Sequence, residues 1–335
     1  MQSSLRVVRV GARPKAAGRE VDWEGRTKAK NQLFFSYLVT NMFYRRKILL
    51  ALLQIFGGKL EKINLQKLLL HFSTRQQTPA YDFIPYKFGC YSFSANADLT
   101  VMVRKGMLAE GDKSFTKLGK TNYFKQLRSS DAELLSKIKG EMGNLKSNAL
   151  IRRTYIDFPY YAIRSEIAGK LLSRDELKIV DSARPKSNKA ILFTIGYEGI
   201  SLEEYLNRLI KNDVRVLVDV RNNPMSMKFG FSKSQLQKYC ANVGIEYIHF
   251  PEVGIQSELR QELDSQSDYD KLFSLYQKKY LPRTTETQLR ILALLKKHKR
   301  IALTCFESNI HQCHRKHLAE AISQLPEFTY ALKHI

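Results

Sequence analysis

Two segments in the second half of the chain place ionisable and thiol side chains directly after apolar runs of strand length. In the first segment the apolar run leads to Asp219 and Arg221. In the second it leads to Cys305 and Glu307, and residues 313–315 (Cys-His-Arg) follow. Ligands of open α/β sheets bind at the carboxyl ends of the strands. We therefore expect these side chains to gather around one cleft.

Asp219 and Arg221 carry a carboxylate and a guanidinium within one turn of the chain. Such a pair can activate water and hold a phosphate. It can equally be a structural ion pair that fixes the loop, and the sequence leaves both interpretations open. The stretch from Asp219 to Arg221 also resembles the Asp-Val-Arg stretch of rhodanese domains, over the length of one strand.

The two cysteines of the second segment have several possible roles. A helix that starts near Cys313, with Arg315 and a histidine nearby, would lower the pKa of a thiol and bind anions. This permits a thiolate nucleophile, as in sulfurtransferases. The spacing of eight positions between Cys305 and Cys313 differs from the compact Cys-loop-Arg cradle of phosphatases and rhodaneses. Plain structural cysteines fit the pattern as well as reactive ones.

Zinc is a further alternative for the same segment, with Cys305, Cys313, His311 and His314 as the ligands. No Cys-x-x-Cys pair supports this alternative. The sequence therefore predicts neither a metal nor a cofactor.

Carboxylates occur at several predicted strand ends and loops: Glu198, Asp219, Glu252 and Glu307. They are interleaved with Arg and Lys, which disfavours a two-metal nuclease. An enzyme that cleaves a glycosidic bond needs only one or two carboxylates, together with aromatic side chains that stack a flipped base and cations that hold the backbone. The predicted catalytic residues are Asp219, Glu307, Glu198 and Cys305.

The same half of the chain offers aromatic and cationic partners for a nucleic acid. The aromatic candidates are Tyr197, Phe229, Tyr247 and Phe250. The cationic candidates are Arg221, Lys228, Arg260 and Arg315.

The charge of the chain points to a polyanionic partner. Its 335 residues include 55 basic and 32 acidic ones, which gives a formal net charge of +23. Each phosphate that a basic side chain neutralises releases counterions, so such a charge favours binding to nucleic acid. We expect double-stranded DNA as the partner; the alternative is a protein that is merely basic.

The remaining composition indicates a cytoplasmic protein. Four cysteines do not make a disulfide scaffold in a chain of this length. No apolar run approaches the length of a membrane span, so we expect no membrane association. Residues 1–41 contain eight basic and three acidic residues and are expected to be a basic arm, or an extension that precedes a natural start at Met42.

Residues 42–130 have the element order of a winged helix-turn-helix. A first helix ends at Gly57-Gly58, a second has Asn64 as its N-cap, and a third runs from a Ser92 cap to about Lys105. Two short strands follow. The third helix would be the recognition helix, and Lys87, Arg104 and Lys105 are candidates to contact DNA. A winged helix used for protein contacts is the alternative. The block Tyr81 to Gly89 resembles the start of antitoxin-like domains of the Panacea type.

Strands and helices alternate in residues 190–335, which follow a helical connector and linker at 131–189. This alternation predicts a Rossmann-like, mostly parallel α/β domain. The predicted strands are Ala190 to Ile195, Val214 to Val220, Gly244 to Phe250 and Ile301 to Cys305. The predicted helices are Leu202 to Asn212, Phe231 to Val243, Tyr269 to Tyr280, Thr285 to His298 and Cys313 to Gln324.

Several blocks within 191–325 resemble a family described as domain of unknown function 488. They are Thr194 to Gly199, Asp219 to Arg221 with Pro224 and Ser226, Phe231-Ser232, Tyr247 to His249, Gly254-Ile255, Arg260, and Cys305 to Arg315. At Val253-Gly254 the chain departs from the Leu-Gly-Gly of many members. The family's description implies no activity, so the chemistry has to come from the residues.

Taken together, the sequence predicts a DNA-binding protein whose α/β domain acts on a nucleobase in DNA. N-glycosidic bond hydrolysis is the expected reaction. A modified base of a phage genome is a natural target, which implies a role in antiviral defence. The alternatives are a non-catalytic DNA-binding regulator with a ligand-sensing α/β domain, and a thiol-dependent enzyme that uses Cys305 or Cys313.

Overall fold

The structure, a computed structural model, describes residues 42–256, 259 and 263–335. The expected basic arm at 1–41 and the candidate Arg260 lie outside the described residues. Residues Tyr44–Ile335 form one compact unit. The division of the chain at 130 and 189 stays a prediction.

The main helices of the described residues are α1 Tyr44–Ile55, α2 Lys62–Ser73, α3 Phe93–Arg104, α4 Ser129–Met142, α5 Ser147–Asp157, α6 Pro159–Ala162, α7 Ala168–Leu171, α8 Arg174–Ser182, α9 Leu202–Lys211, α10 Lys233–Asn242, α11 Gln266–Leu275, α12 Thr285–His298 and α13 His314–Ser323. The strands are β1 Lys59–Glu61, β2 Ile84–Tyr86, β3 Gly89–Tyr91, β4 Leu108–Glu110, β5 Ser114–Lys117, β6 Ile191–Gly196, β7 Val216–Asp219, β8 Glu246–His249, β9 Arg300–Cys305 and β10 Ala331–His334. A π-helical turn, Tyr276–Tyr280, continues α11.

The N-terminal part contains a small antiparallel sheet in the order β1-β5-β4. The consecutive residues 48–53 of α1 are all fully buried, so this helix lies at the centre of the N-terminal part. The predicted third helix is confirmed as α3, and the Ser92 hydroxyl caps it by accepting a hydrogen bond from the backbone N of Ala95 at 3.2 Å. The second helix begins at Lys62, before the predicted cap Asn64, because strand β1 leads directly into it.

The block Tyr81 to Gly89 leads into the hairpin β2–β3, in which Pro85 pairs with Cys90. Gly89 has a φ of +94°, a conformation that favours glycine, and an added Cβ would lie 2.4 Å from the Tyr155 ring. The tight turn therefore depends on glycine at this position.

In the C-terminal part, five strands of the described residues form a parallel sheet in the order β10-β6-β9-β7-β8. The predicted mixed α/β class and the parallel sheet of the C-terminal part are confirmed, whereas the winged helix of residues 42–130 stays a prediction. Strand β9 occupies the centre, and all six of its residues are buried. The sequence analysis did not predict the edge strand β10.

The register of the sheet decides what meets at its carboxyl edge. Gly196, at the end of β6, pairs with Cys305 at the end of β9. Asp219, at the end of β7, pairs with Thr304 of β9 and with His249 of β8. The loops that follow these strands therefore start side by side, as expected for a ligand-binding edge.

The N-terminal part contacts the α/β part through a buried carboxylate. Glu203, in the first turn of α9, accepts hydrogen bonds from the backbone N of Ser94 at 2.7 Å and from the hydroxyls of Ser94 and Ser92 at 3.0 and 3.2 Å. Both serines lie at the start of α3, where the helix dipole favours negative charge. Burial nevertheless raises the pKa of Glu203, and its hydrogen bonds only partly offset this.

Candidate functional site

Asp219 and Arg221 form a buried ion pair at the end of β7. The Asp219 carboxylate accepts hydrogen bonds from Nε of Arg221 at 2.9 Å and from its backbone N at 3.1 Å. The guanidinium also donates from Nη2 to Oδ2 of Asp219. Tyr247 of β8 donates its hydroxyl to the same Oδ2 at 2.6 Å. Asp219 is fully buried and Arg221 is 5 % exposed.

The Arg221 guanidinium also donates hydrogen bonds to residues of two neighbouring loops. Its Nη1 donates to the Tyr197 hydroxyl at 2.7 Å and to the carbonyl of Phe231 at 2.9 Å. Burial alone would lower the pKa of Arg221, but its hydrogen bonds to Asp219 and the charge of Asp219 outweigh this and raise it. Of the two interpretations that the sequence left open, this geometry is that of an ion pair that fixes the loop.

A cavity of about 300 Å³ opens at this edge of the sheet. We call it the arginine cavity; it is lined by Tyr197, Arg221, Asn222, Asn223, Met225, Ser226, Ile255, Cys305 and Phe306. Among the residues that the structure describes, its lining includes two amides, a guanidinium, two hydroxyls and a thiol but no carboxylate. Its polar groups therefore suit a ligand that both donates and accepts hydrogen bonds.

A second cavity, of about 280 Å³, adjoins the first at Phe306, which lines both. We call it the carboxylate cavity; it is lined by Glu198, Leu263, Tyr269, Leu272, Phe273, Phe306, Glu307 and Gln312. The Glu198 carboxylate accepts hydrogen bonds from the backbone N and the hydroxyl of Ser308 at 2.9 and 3.0 Å. Two of the four predicted catalytic residues, Glu198 and Glu307, thus line one cavity, and Cys305 lines the other.

The loop that carries Glu307 is held by close backbone packing. Arg315 of α13 is buried and donates from Nη1 to the Glu307 carbonyl at 2.6 Å. A Cβ at Gly196 would lie 1.9 Å from the same carbonyl oxygen. Glycine is therefore required at the end of β6, and Arg315 anchors the loop.

Cys305, Cys313 and His314 form a fully buried cluster between β9 and α13. Their ligand atoms all lie within 4.8 Å of one another, and the Cys305 Sγ is 3.6 Å from the His314 Nδ1. The His314 Nε2 is 3.0 Å from the carbonyl of Val220, which can only accept, so Nε2 carries the proton. Three of the four residues named for the zinc alternative therefore lie together. The fourth, His311, is exposed and lies outside the cluster.

At Cys313 burial acts against the acidic thiol that is one of the possibilities at the start of α13. Burial, together with the neighbouring Cys305, raises the pKa of the Cys313 thiol well above its ordinary value. The nearby Arg315 acts in the opposite direction but does not compensate. Desolvation therefore outweighs the helix N-terminus at this position.

The predicted nucleic-acid contacts of the α/β part are mostly engaged within the protein. The ring of Tyr197 stacks on Phe231, with the ring centroids 4.2 Å apart. Tyr247 is held by Asp219, and the Lys228 ammonium donates to the carbonyl of Tyr197. Burial raises the pKa of the Tyr247 hydroxyl, and the charge of Asp219 adds to this.

The three candidates of the N-terminal part are exposed to solvent. Lys87 lies in the turn between β2 and β3, Arg104 ends α3, and Lys105 follows it. Their side chains are therefore accessible to a macromolecular partner. Their role in binding DNA stays a prediction.

The sequence analysis did not single out several residues of the site. Asn222 and Asn223 line the arginine cavity directly after Arg221. His249, at the end of β8, has its Nε2 2.8 Å from the carbonyl of Arg221. The two asparagines lie in the same loop as Arg221, so their position directly after β7 could have identified them as residues of the site.

Comparison with known proteins supports the C-terminal resemblance. Residues 201–322 match the family model described as Domain of unknown function DUF488. The matched range includes the Asp219–Arg221 pair and the cluster of Cys305, Cys313 and His314. No curated protein matches the chain. Among the described residues, none of the helices combines the length and the apolar character that crossing a membrane requires.

Proposed function

We propose that the chain binds double-stranded DNA and that its α/β part hydrolyses the N-glycosidic bond of a modified nucleobase, as in a defence against phage. The observation that carries this proposal is the arginine cavity. Its volume of about 300 Å³ lies at the lower end of small-molecule sites. Asn222 donates to the Pro251 carbonyl at 3.2 Å, and the Asn223 side-chain oxygen accepts from the backbone N of Met225 at 3.1 Å. Each amide has capacity for further hydrogen bonds of both kinds, which is what a base edge requires.

The carboxylate cavity supplies the acidic side chain that the proposed hydrolysis requires. Glu307 and Glu198 line the carboxylate cavity, and Phe306 forms the wall that it shares with the arginine cavity. We assign Glu307 the role of positioning water at the sugar, because it directly follows Phe306, the residue that lines both cavities. Asp219 is in this proposal a positioning residue that acts through Arg221 and Tyr247.

The charge distribution supports DNA binding by the N-terminal part, which we propose to be a winged helix. Residues 42–130 contain 15 basic and 5 acidic residues, whereas residues 190–335 contain 20 and 16. The start of α3 is covered by Glu203. The contacts to DNA are therefore assigned to its exposed end at Arg104 and Lys105, and to Lys87.

Thiol-dependent chemistry is the second candidate, and one specific observation favours it. Of the four predicted catalytic residues, Cys305 alone lines the arginine cavity. The His314 Nδ1 is 3.6 Å from its Sγ, and the Val220 carbonyl orients the ring. A nucleophile, a base and a group that orients the base are the parts of a covalent mechanism.

Incubation with unmodified DNA and with phage DNA that carries modified bases tests these candidates. The measured products are alkali-labile abasic sites and released bases. We expect abasic sites from the wild-type protein and from Cys305→Ser, and none from Glu307→Gln. Glu246→Gln, at the opposite edge of the sheet, is the matched control and should remain active.

The other outcomes identify the alternatives. Loss of activity in Cys305→Ser with activity retained in Glu307→Gln would support the thiol enzyme. Tight DNA binding without any product on any DNA would support a regulator.

A further inference from the structure

The cluster of Cys305, Cys313 and His314 has the donor set of a metal site. Two thiols and an imidazole are the side chains that zinc prefers in proteins. Among the residues that the structure describes, no other group of at least three His, Cys, Asp or Glu side chains converges in this way. All three side chains are buried, as ligands of a metal site inside a protein are. We propose that these residues bind one Zn²⁺ ion.

The separation between the Cys305 and His314 ligand atoms agrees with tetrahedral coordination. Zinc lies about 2.3 Å from a thiolate sulfur and about 2.0 Å from an imidazole nitrogen, so the sulfur and the nitrogen are about 3.5 Å apart at the tetrahedral angle. The observed separation between the Cys305 Sγ and the His314 Nδ1 is 3.6 Å. The two pairs that involve the Cys313 Sγ lie within 4.8 Å, so one ion can be reached by all three side chains.

The histidine is oriented in the way that metal-binding histidines are. Its Nε2 donates to the carbonyl of Val220, which follows β7. The proton on Nε2 leaves Nδ1 as the basic nitrogen, and Nδ1 is the atom that faces the Cys305 Sγ. A backbone carbonyl that fixes the tautomer of a ligating imidazole is the usual outer partner of such a ligand.

The two other cysteines of the chain provide a contrast. Cys90 donates to the carbonyl of Gln66 at 3.5 Å, and Cys240 lies in the apolar core on the opposite side of the sheet from Cys305. Both are buried, but neither belongs to a cluster of ligands. Burial of a thiol alone therefore does not explain the arrangement around Cys305.

The proposed ion would border the arginine cavity. Cys305 is both a member of the cluster and part of the cavity lining. Three protein ligands leave a fourth position for water or a substrate atom. The inference does not depend on the proposed reaction, but a metal-bound Cys305 is not the free nucleophile of the second candidate function.

The full chain, produced without a histidine tag and purified without chelators, tests the proposal by elemental analysis. We expect about one zinc ion per chain in the wild type, falling below about 0.1 in Cys313→Ser because a ligand is lost. Cys240→Ser is the matched control and should keep its zinc. Metal-free wild-type protein titrated with Co²⁺ should show thiolate-to-cobalt charge-transfer absorption, which needs no variant to fold.

Three results would overturn the proposal. The first is wild-type protein that contains no zinc and shows no charge-transfer band with cobalt. The second is a loss of zinc in Cys240→Ser as large as in Cys313→Ser. The third is a disulfide between Cys305 and Cys313 in freshly purified protein, found by peptide mapping.

Discussion

The Glu203 carboxylate accepts a hydrogen bond of 2.7 Å from the backbone N of Ser94, so a side chain of the α/β part caps helix α3 of the N-terminal part. The hydroxyls of Ser92 and Ser94 complete the set of donors. This contact fixes the orientation of α3 relative to α9. Strand β7, which follows α9 in the chain, leads to the arginine cavity. Glu203 and Ser92 are fully buried, so a loss of this contact is costly.

Replacement of Glu203 by alanine tests this contact. Three donors at the start of α3 would lose their acceptor, which should lower the free energy of unfolding by about 1–3 kcal/mol. Glu204→Ala removes the neighbouring, half-exposed carboxylate and should change it by about 0.5 kcal/mol or less. Denaturant titrations of both variants give the comparison. Equal effects would mean that the contact with Ser94 contributes no more than a surface glutamate.

The buried Asp219–Arg221 pair leads to a prediction that separates positioning from direct catalysis. Asp219→Asn leaves the guanidinium buried without its counter-charge and should lower the free energy of unfolding by about 3 kcal/mol. Asp270→Asn, on the exposed surface of α11, should have almost no effect. Denaturant titration measures both. Asp219→Asn protein of wild-type stability that lacks activity would instead identify Asp219 as a catalytic residue.

The elements that the sequence predicted well are those with local signals. Helix α12 was predicted with its observed bounds, Thr285–His298, and α9 begins at its predicted first residue, Leu202. Strands β1 and β10 have three and four residues and carry charged side chains. Their pairing is decided by partners far along the chain, which local periodicity does not reveal.

The candidate site shows the same division between local and non-local information. The sequence placed Asp219 and Cys305 correctly at the carboxyl edge of the sheet. The sequence could not show that the hydroxyl of Tyr247, on a different strand, donates a hydrogen bond to the Asp219 carboxylate. Nor could it show that the loop between β9 and α13 brings Cys313 back to Cys305, since that contact depends on tertiary packing rather than on a short motif.

His71 makes the stability of the N-terminal part depend on pH. It is buried in α2, with its Nε2 3.1 Å from the Thr154 hydroxyl, and burial lowers its pKa to about 4. The unfolded chain binds the proton at a pH of about 6.5, so stability that is fully present above this pH is lost as the pH falls towards 4. The total loss is about 3 kcal/mol.

The His71→Gln variant should lose this contribution to the pH dependence. Its free energy of unfolding, measured between pH 7 and pH 4.5, should fall less steeply than that of the wild type. His311→Gln removes an exposed histidine and should leave the wild-type slope. A His71→Gln slope equal to that of the wild type would contradict the assignment.

Two glycines are expected to respond in opposite directions to replacement by alanine. A Cβ at Gly196 would lie 1.9 Å from the Glu307 carbonyl oxygen, so Gly196→Ala should destabilise the protein by about 2–3 kcal/mol. Gly140 lies inside α4 with open space around it, and Gly140→Ala should stabilise by about 0.5–1 kcal/mol. Thermal unfolding of the two variants checks both signs. A Gly196→Ala variant as stable as the wild type would show that the loop of Glu307 tolerates a shift.

Binding to duplex DNA should depend steeply on salt and on the exposed end of α3. Each phosphate contact contributes about 0.9 to the slope of log affinity against log salt concentration. The double substitution Arg104→Ala and Lys105→Ala should therefore weaken binding and reduce that slope by about 2. Lys278→Ala with Lys279→Ala removes the same charge from an exposed pair in the α/β part and should change the slope less. Fluorescence anisotropy over a salt series measures both. Binding that is absent at low salt, insensitive to salt, or equally weakened in the two double variants would refute the assignment of α3 to DNA.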